Sequence, residues 1–224
     1  MIVGIHGRKR SGKDFTADHL VRYGYNKMAF ATYLKEGLRY ALETNKLDEA
    51  FFLTDLDSVL EGKGFDRELA LPLTKEAVYK IICSMLEYFG LKQNALLKGL
   101  LKMEDCVVVN GKAIKEWSIR AFLKHVATDI VQEIDKNYFA EYLLSQIDYD
   151  ANTVISDVRF DHEIKVLQEL NAVFVSVDSI DPSHDNHISE KCIEIEGAIN
   201  IFNDKTENFI SEIETKLKEL ICHK

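Results

Sequence analysis

Ile2-Val3-Gly4-Ile5-His6, running into Gly7-Arg8-Lys9-Arg10-Ser11-Gly12-Lys13-Asp14, is the stretch on which the reading of this chain turns. Ile2 to Ile5 is short, β-branched and ended by glycine, which predicts a buried strand entering a turn. Lys13 to Tyr23 has helical character, with Phe15, Ala17, Leu20 and Val21 available to one side. Strand, glycine loop and helix open a βαβ unit. The loop fits G-x-x-x-x-G-K-[ST] in all but its last position, in the context that the motif requires. Gly7 and Gly12 permit backbone conformations and close approach that side chains would block. The amides of Arg10, Ser11 and their neighbours can therefore surround a polyphosphate at the helix start. Lys13 adds a mobile charge that follows a transferred phosphoryl group. The bland alternative is a glycine turn carrying solvated basic residues, and the strand-loop-helix context weighs against it.

Asp14 stands where the motif has the Ser or Thr hydroxyl that ligates Mg2+. A carboxylate can also serve a hard cation, directly or through water. It can equally orient the acceptor, or simply favour the helix start. Thr153-Val154-Ile155-Ser156 reads as another buried strand, delivering Asp157 at its carboxyl end, where an acid would meet a Mg2+-nucleotide. Two residues on, Arg159 offers a bidentate fork to phosphate oxygens; the plain alternative is a surface pairing with Asp161 or Glu163. Arg120 and Lys124 share a helical face and, with Asp129, suggest an anion-binding surface, although a solvated face fits the spacing equally well. Lys35 and Arg39 are also four apart and carry the same two readings. Trp117 could stack a base, but a single tryptophan is more often core. His184 and His187 lie three apart in a polar loop without further ligands, and read as loop residues rather than a metal site.

Working outward, Lys27 to Phe30 predicts a second short strand, and Leu34, Leu38, Ala41 and Leu42 follow at helical spacing. From Asn45 to Leu73 the pattern degrades into a loop-rich stretch. Thr74 then caps a helix with the stripe Val78, Ile81, Ile82, Met85, Leu86 and Phe89, ended by Gly90. Cys106 to Ile114 carries the Asn110-Gly111 signal of a tight hairpin, hung between helices as an appendage to the main sheet. Ser118 caps a helix through Phe122, Leu123, Val126, Ile130 and Val131, and another runs through Phe139, Tyr142, Leu143 and Ile147. Asp161 to Leu170 is helical, Ala172 to Val177 a strand, residues 181 to 190 a polar loop, and Ala198 to Phe202 a strand. One amphipathic helix through Phe209, Ile213, Leu217 and Ile221 closes the chain. Apolar strands alternating with helices imply an α/β fold in three layers, a mostly parallel sheet covered on both faces.

Composition narrows the function classes. The chain has 224 residues, 46% of them hydrophobic and 29% charged, which fits one domain with a substantial core and excludes disorder and fibrous repeats. A formal charge of -9 argues against a protein that coats nucleic acid. A small anion needs only a few cations at one place. Cys83, Cys106, Cys192 and Cys222 form no C-x-x-C pair, so neither a zinc cluster nor a disulfide framework is signalled. No apolar run is long enough for a membrane span and the N-terminus lacks a signal peptide, so the expected address is the cytosol.

Taken in order, these segments resemble the deoxynucleoside monophosphate kinases of tailed bacteriophages. The resemblance runs through Gly7 to Asp14, Asp66-Arg67-Glu68 with Leu73-Thr74-Lys75, and Trp117-Ser118-Ile119-Arg120 with Thr128-Asp129. It continues in Asp157-Val158-Arg159 with Asp161-His162-Glu163, in His187-Ile188-Ser189-Glu190, and in Asn203-Asp204. It implies a P-loop kinase of the nucleoside-monophosphate-kinase type, often dimeric, that moves the γ-phosphoryl of ATP onto a deoxynucleoside monophosphate with Mg2+. It further implies one domain over residues 1–224, with an acceptor-binding insertion at about 31–116 and a lid at about 181–197. In a phage-encoded enzyme the address is the host cytosol.

By that similarity Gly12, Lys13 and Asp14 would hold the donor phosphates and metal, and Asn203 would lie near the adenine. Gly7, Arg10, Ser11, Phe15 and Thr16 are further donor-side candidates, and Asp157, from its place at the end of a strand, is the second metal candidate. Arg120 would grip the acceptor phosphate with Lys35 assisting; Arg39, Trp117, Lys124, Asp129, Asp157 and Glu163 are further acceptor-side candidates. Arg159 would neutralise transferring charge, and His187 and Glu190 would belong to the lid. Lys13, Asp14, Arg120 and Arg159 are the catalytic candidates. The family commonly places Thr after the loop aspartate, where this chain has Phe15, and glycine after the later aspartate, where it has Lys205. Gly12-Lys13-Asp14-Phe15 also resembles the loop of animal-type phosphomevalonate kinases, so a kinase of another small phosphorylated metabolite is the runner-up. A nucleotide-binding regulatory module and an interaction protein using the acidic stretch are the rivals from other classes.

Overall fold

Strand β1 (Ile2–His6) is buried along its whole length, because it lies at the middle of a parallel sheet with helices on both sides. In the computed structural model, which describes residues 1–47, 55–91, 106–180 and 193–222, the chain divides into two compact units. One is Met1–Phe30 with Phe139–Lys224, and the other is Ala31–Tyr138.

In the first unit the sheet order is β2-β5-β1-β6-β7, all pairs parallel, with β2 (Asn26–Met28), β5 (Thr153–Val158), β6 (Val173–Ser179) and β7 (Ile199–Asn203). Alternation sorts the strand residues. Val3, Ile5, Val154, Val175 and Val177 pack with Ala17 and Leu20 of α1 (Lys13–Val21) and with Phe209, Ile213 and Leu217 near the C-terminus. Ile2, Ile155, Val158 and Phe174 meet Ala140, Leu143, Ile164 and Leu167 on the opposite face. The three layers and parallel sheet expected from the sequence are present. Gly4 lacks a side chain where Leu167 and Phe174 come closest: a Cβ there would lie 3.2 Å from both.

In the second unit, α2 (Ala31–Thr44) buries Leu34, Gly37, Leu38, Ala41 and Leu42. A Cβ on Gly37 would stand 2.5 Å from the Phe89 ring, so glycine lets the partner element approach. That element is the helix Lys75–Tyr88, capped by Thr74, whose hydroxyl accepts from the Ala77 amide. A separate two-stranded sheet, β3 (Val107–Val109) with β4 (Lys112–Ile114), turns through Asn110 and Gly111, both at positive φ. This is the turn chemistry a two-residue hairpin demands.

Three local expectations are corrected. The 45–73 stretch contains α3 (Leu56–Glu61), N-capped by Asp55 and ended by Gly62 at φ 73; fewer than two turns are too short to show periodicity, and the caps were the legible signal. The helix Lys75–Tyr88 is therefore α4. The Ser118-capped helix α5 (Ile119–His125) does not continue as a regular helix but widens into a π-helical segment, Val126–Val131, and closes with Gln132–Ile134. Thr128 Oγ1 donates to the Lys124 carbonyl there, diverting one acceptor of the ladder. After α6 (Tyr138–Gln146) and α7 (Asp161–Glu169), the terminal helix is two, α8 (Asn208–Lys216) and α9 (Lys218–Cys222), parted at Leu217. Leu217 keeps its place in the core. The Ser118-capped helix belongs to the second unit, Ala31–Tyr138. Among the described residues no helix is long and apolar enough to cross a membrane.

Candidate active site

The carboxyl end of β1 is a topological switch point, since successive strands pass to β2 and β5 on one side and to β6 and β7 on the other. The glycine loop leaves the sheet there. A Cβ on Gly7 would lie 2.3 Å from the Val177 carbonyl oxygen, so the passage beside β6 admits only glycine. Gly12, at φ 110, would set a Cβ 2.7 Å from Asn203 Nδ2 and 2.8 Å from the Phe209 ring. Between them, Arg10 takes a left-handed φ of 64 and the Ser11 N–H closes on the Arg8 carbonyl at 3.1 Å.

Ser11 and Lys13 are buried, although both are polar. Ser11 Oγ has no hydrogen-bond partner among the described residues, and Lys13 Nζ donates across the loop to the Arg8 carbonyl at 2.6 Å. At the start of α1 the amides of Lys13, Asp14 and Phe15 have no intrahelical acceptor, whereas Thr16 N–H closes on Gly12 O at 2.9 Å. The Thr16 hydroxyl also donates to Gly12 O, at 3.1 Å, so it is turned onto the backbone. Asp14 is exposed and faces Lys27 Nζ at 3.4 Å. Phe15 is exposed too, its ring 5.6 Å from that of buried Phe209.

Asn203 backs this loop. Its Nδ2 donates to the Ser11 carbonyl at 2.8 Å and its Oδ1 accepts from the Lys205 N–H at 2.9 Å. Lys205 Nζ then donates to the Arg10 carbonyl at 2.7 Å. The residue that stands where glycine is usual thus becomes a second clamp. Neither the Asn203 clamp nor the Lys205 clamp was foreseen from the sequence.

The end of β5 is equally constrained. Asp157 Oδ1 accepts from the Phe30 N–H at 2.8 Å. Arg159, half-buried, follows at the start of the connection to α7. Glu163, in the first turn of α7, is buried and its Oε2 accepts from the amides of Arg159 at 2.7 Å and Phe160 at 3.0 Å. Burial, with the nearby Asp157 charge, pushes the Glu163 carboxyl up to about 8. Near neutral pH it therefore carries its proton, and it shapes the Asp157 to Phe160 turn.

His6, for which the sequence suggests no role, ends β1. It is buried, with Nδ1 2.9 Å from the Val158 carbonyl and Nε2 accepting from the Ile193 N–H at 3.2 Å. A carbonyl cannot donate, so Nδ1 carries the hydrogen and Nε2 the lone pair. Burial holds the His6 pKa below its usual value, and the Lys13 and Arg159 charges add to this against the Val158 bond and Asp178.

In the second unit three of the candidate cations are paired with acids. Lys35 Nζ meets Glu61 at 2.7 Å, Arg39 pairs with Asp57, and Arg120 Nε lies 3.7 Å from Glu68. The Arg120 N–H also donates to the Arg67 carbonyl at 2.9 Å, fastening the start of α5 to the segment after α3. Asp129 does not share an open surface with Arg120 and Lys124. It is buried and accepts from His125 Nδ1 at 2.6 Å and Lys112 Nζ at 2.7 Å. Burial alone would raise the Asp129 pKa, but those two hydrogen bonds and the Lys112 charge hold it below the ordinary value. Trp117 is core, buried against Phe122 with centroids 4.7 Å apart, and its indole N–H has no partner among the described residues. His184, His187, Glu190 and most of the expected lid lie outside the described residues.

Known proteins resemble this chain over nearly its whole length. A family model described as deoxynucleotide monophosphate kinase matches residues 1–216. The chain is similar to the deoxynucleotide monophosphate kinase of Escherichia phage RB69, 30% identical over 246 positions that cover 98% of this chain and 99% of the relative. The same figures, 30%, 98% and 99%, describe its similarity to the deoxynucleotide monophosphate kinase of Enterobacteria phage T4.

Proposed function

Because this chain belongs to the deoxynucleotide monophosphate kinase family, we propose that it transfers the γ-phosphoryl of ATP to a deoxynucleoside 5′-monophosphate, releasing ADP and the deoxynucleoside diphosphate. The observation that carries this reading is the buried glycine loop at the switch point, where Ser11 Oγ has no partner among the described residues and Lys13 is folded inward. Donor phosphates would take the first-turn amides of α1, the Ser11 hydroxyl and the Lys13 ammonium, which would give up the Arg8 carbonyl for the γ-phosphate.

The acceptor phosphate is already a nucleophile. One of its oxygens forms the new bond to Pγ while the bond from Pγ to the bridging oxygen breaks and ADP leaves with the electron pair. No strong base is required, and positioning with charge neutralisation does the catalysis. Arg159, whose main-chain N–H donates to Glu163, would neutralise the transferring charge, and Arg120 with Lys35 and Arg39 would take the acceptor phosphate. Those three would exchange carboxylate partners for phosphate oxygens.

Asp14 and Asp157 supply only oxygen donors, and no cluster of three or more metal-ligating side chains occurs among the described residues. That set fits Mg2+, which is bound by one or two carboxylates together with phosphates and water. When bound, Mg2+ neutralises charge on the β- and γ-phosphates.

The test is ADP release from ATP with and without each of the four deoxynucleoside monophosphates, with mevalonate 5-phosphate as a control acceptor. Release that depends on a deoxynucleotide supports the reading. Release driven only by mevalonate 5-phosphate, or slow release indifferent to acceptor, overturns it.

A further inference from the structure

We propose that the exposed ring of Phe15 is the surface on which the base of the donor nucleotide lies, so that the donor subsite accepts an aromatic base without reading its edge. The inference rests on the kinase reading above and extends it to donor selection. Four observations meet at this residue. Phe15 is 42% exposed, among the largest apolar exposures in the first unit near the loop. Its ring is set 5.6 Å from that of Phe209 at a 35° tilt, and Phe209 is itself buried against Gly12. One side of Phe15 is thereby fixed on a rigid neighbour, and the exposed remainder has no aromatic contact among those described.

Position supplies the second part. In a loop of this type the early amides and the lysine serve the terminal phosphates, and the helix-start amides serve those nearer the sugar. The Phe15 amide is the last of the first-turn donors before Thr16, whose N–H is already bonded to Gly12 O. Its side chain therefore emerges where the phosphates end and the nucleoside begins. Ser11 Oγ, 1% exposed and unpartnered among the described residues, independently marks the loop as built for a ligand.

The third part concerns what could read a base edge. Asn203 is buried, with Nδ2 bonded to Ser11 O and Oδ1 to the Lys205 N–H, so its amide is committed to holding the loop. Stacking on an apolar ring tolerates any base, because every base presents a π-face.

Binding of ATP, GTP and inorganic tripolyphosphate, each with Mg2+, separates the contributions of base and phosphates. It is measured on the full chain and on Phe15→Ala, Phe15→Leu and Phe15→Trp, with ligand-free melting as the folding control. Wild type should bind ATP and GTP comparably. Phe15→Ala and Phe15→Leu should lose roughly 5- to 150-fold in affinity for both nucleotides and keep their affinity for tripolyphosphate. Phe15→Trp should retain nucleotide binding. Equal losses for nucleotide and tripolyphosphate, no loss for either, or a strong preference between ATP and GTP overturns the proposal. A wild-type chain that binds neither ATP nor tripolyphosphate removes the kinase reading itself.

Discussion

The side-chain amide of Asn203 donates to the main-chain carbonyl of Ser11 at 2.8 Å, across 192 positions of sequence. The glycine loop is thus held by the residue that ends the last strand of the sheet. With Lys205 on the Arg10 carbonyl, two consecutive loop carbonyls are engaged by side chains at or just past the end of β7.

Asn203→Ala should cost about 1–3 kcal/mol of stability by leaving a buried carbonyl unpaired. It should also raise KM for ATP several-fold while leaving that for the acceptor nearly unchanged. Denaturant unfolding and two-substrate kinetics check both halves; an acceptor-side effect would place Asn203 elsewhere in the mechanism.

Lys13→Met removes the ammonium but keeps most of the buried stem. The variant should fold, giving up the bond to Arg8 O while the buried position stays filled. Its kcat should fall by roughly 100-fold or more, as expected when a preorganised donor is withdrawn from developing charge. Unchanged turnover in a steady-state assay would end the assignment of Lys13.

Arg120→Ala should raise the acceptor KM or lower kcat more than it raises the ATP KM, with ATP binding by calorimetry unaltered. The opposite pattern would put Arg120 on the donor side.

Glu163 gives a pH dependence of stability. Its carboxyl titrates at about 8 when folded, against an ordinary glutamate value of 4.5. Between those limits the native state holds a proton that the unfolded chain has released, so stability falls as pH rises across the window. Glu163→Gln preserves an oxygen for the Arg159 and Phe160 amides and removes the titration. Melting temperatures from pH 5 to 9 should show the variant overtaking the wild type toward the alkaline end; parallel curves would refute the buried protonated acid.

His6 acts in the other direction. Its folded pKa lies below 6.5, because burial, Lys13 and Arg159 oppose the charged form more than the Val158 bond and Asp178 favour it. Below pH 6.5 the unfolded chain takes up a proton that the native state refuses, so stability drops as pH falls. His6→Asn retains a donor for Val158 O but loses the acceptor for Ile193, costing about 1–3 kcal/mol at pH 7.5. The difference from wild type should narrow toward pH 5.5, and a constant difference would contradict the neutral tautomer.

What could be read in the sequence was local. The β1-loop-α1 unit, the Thr74 and Ser118 caps and the Asn110-Gly111 turn each depend on residues within a few positions, and all are present as expected. The three-layer parallel sheet followed from alternation of short apolar strands with helices. The details that shape the site join distant positions: Asn203 with Ser11, His6 with Val158 and Ile193, Lys112 with Asp129. No periodicity announces such pairs. Asp129 reads as available because spacing cannot tell a buried carboxylate from an exposed one, and α3 is hard to read because six residues leave too little pattern.

The pairing of β1 with β5 begins at Ile2 opposite Thr153, so on the ribosome the first strand must wait for about 150 residues of further synthesis. At roughly 5–20 residues per second, that is on the order of 8–30 s during which an apolar segment has no sheet to join. The contiguous stretch Ala31–Tyr138 emerges whole in the interval. A nascent chain stalled before residue 153 should therefore carry its glycine loop unformed and its N-terminus open to holdase chaperones.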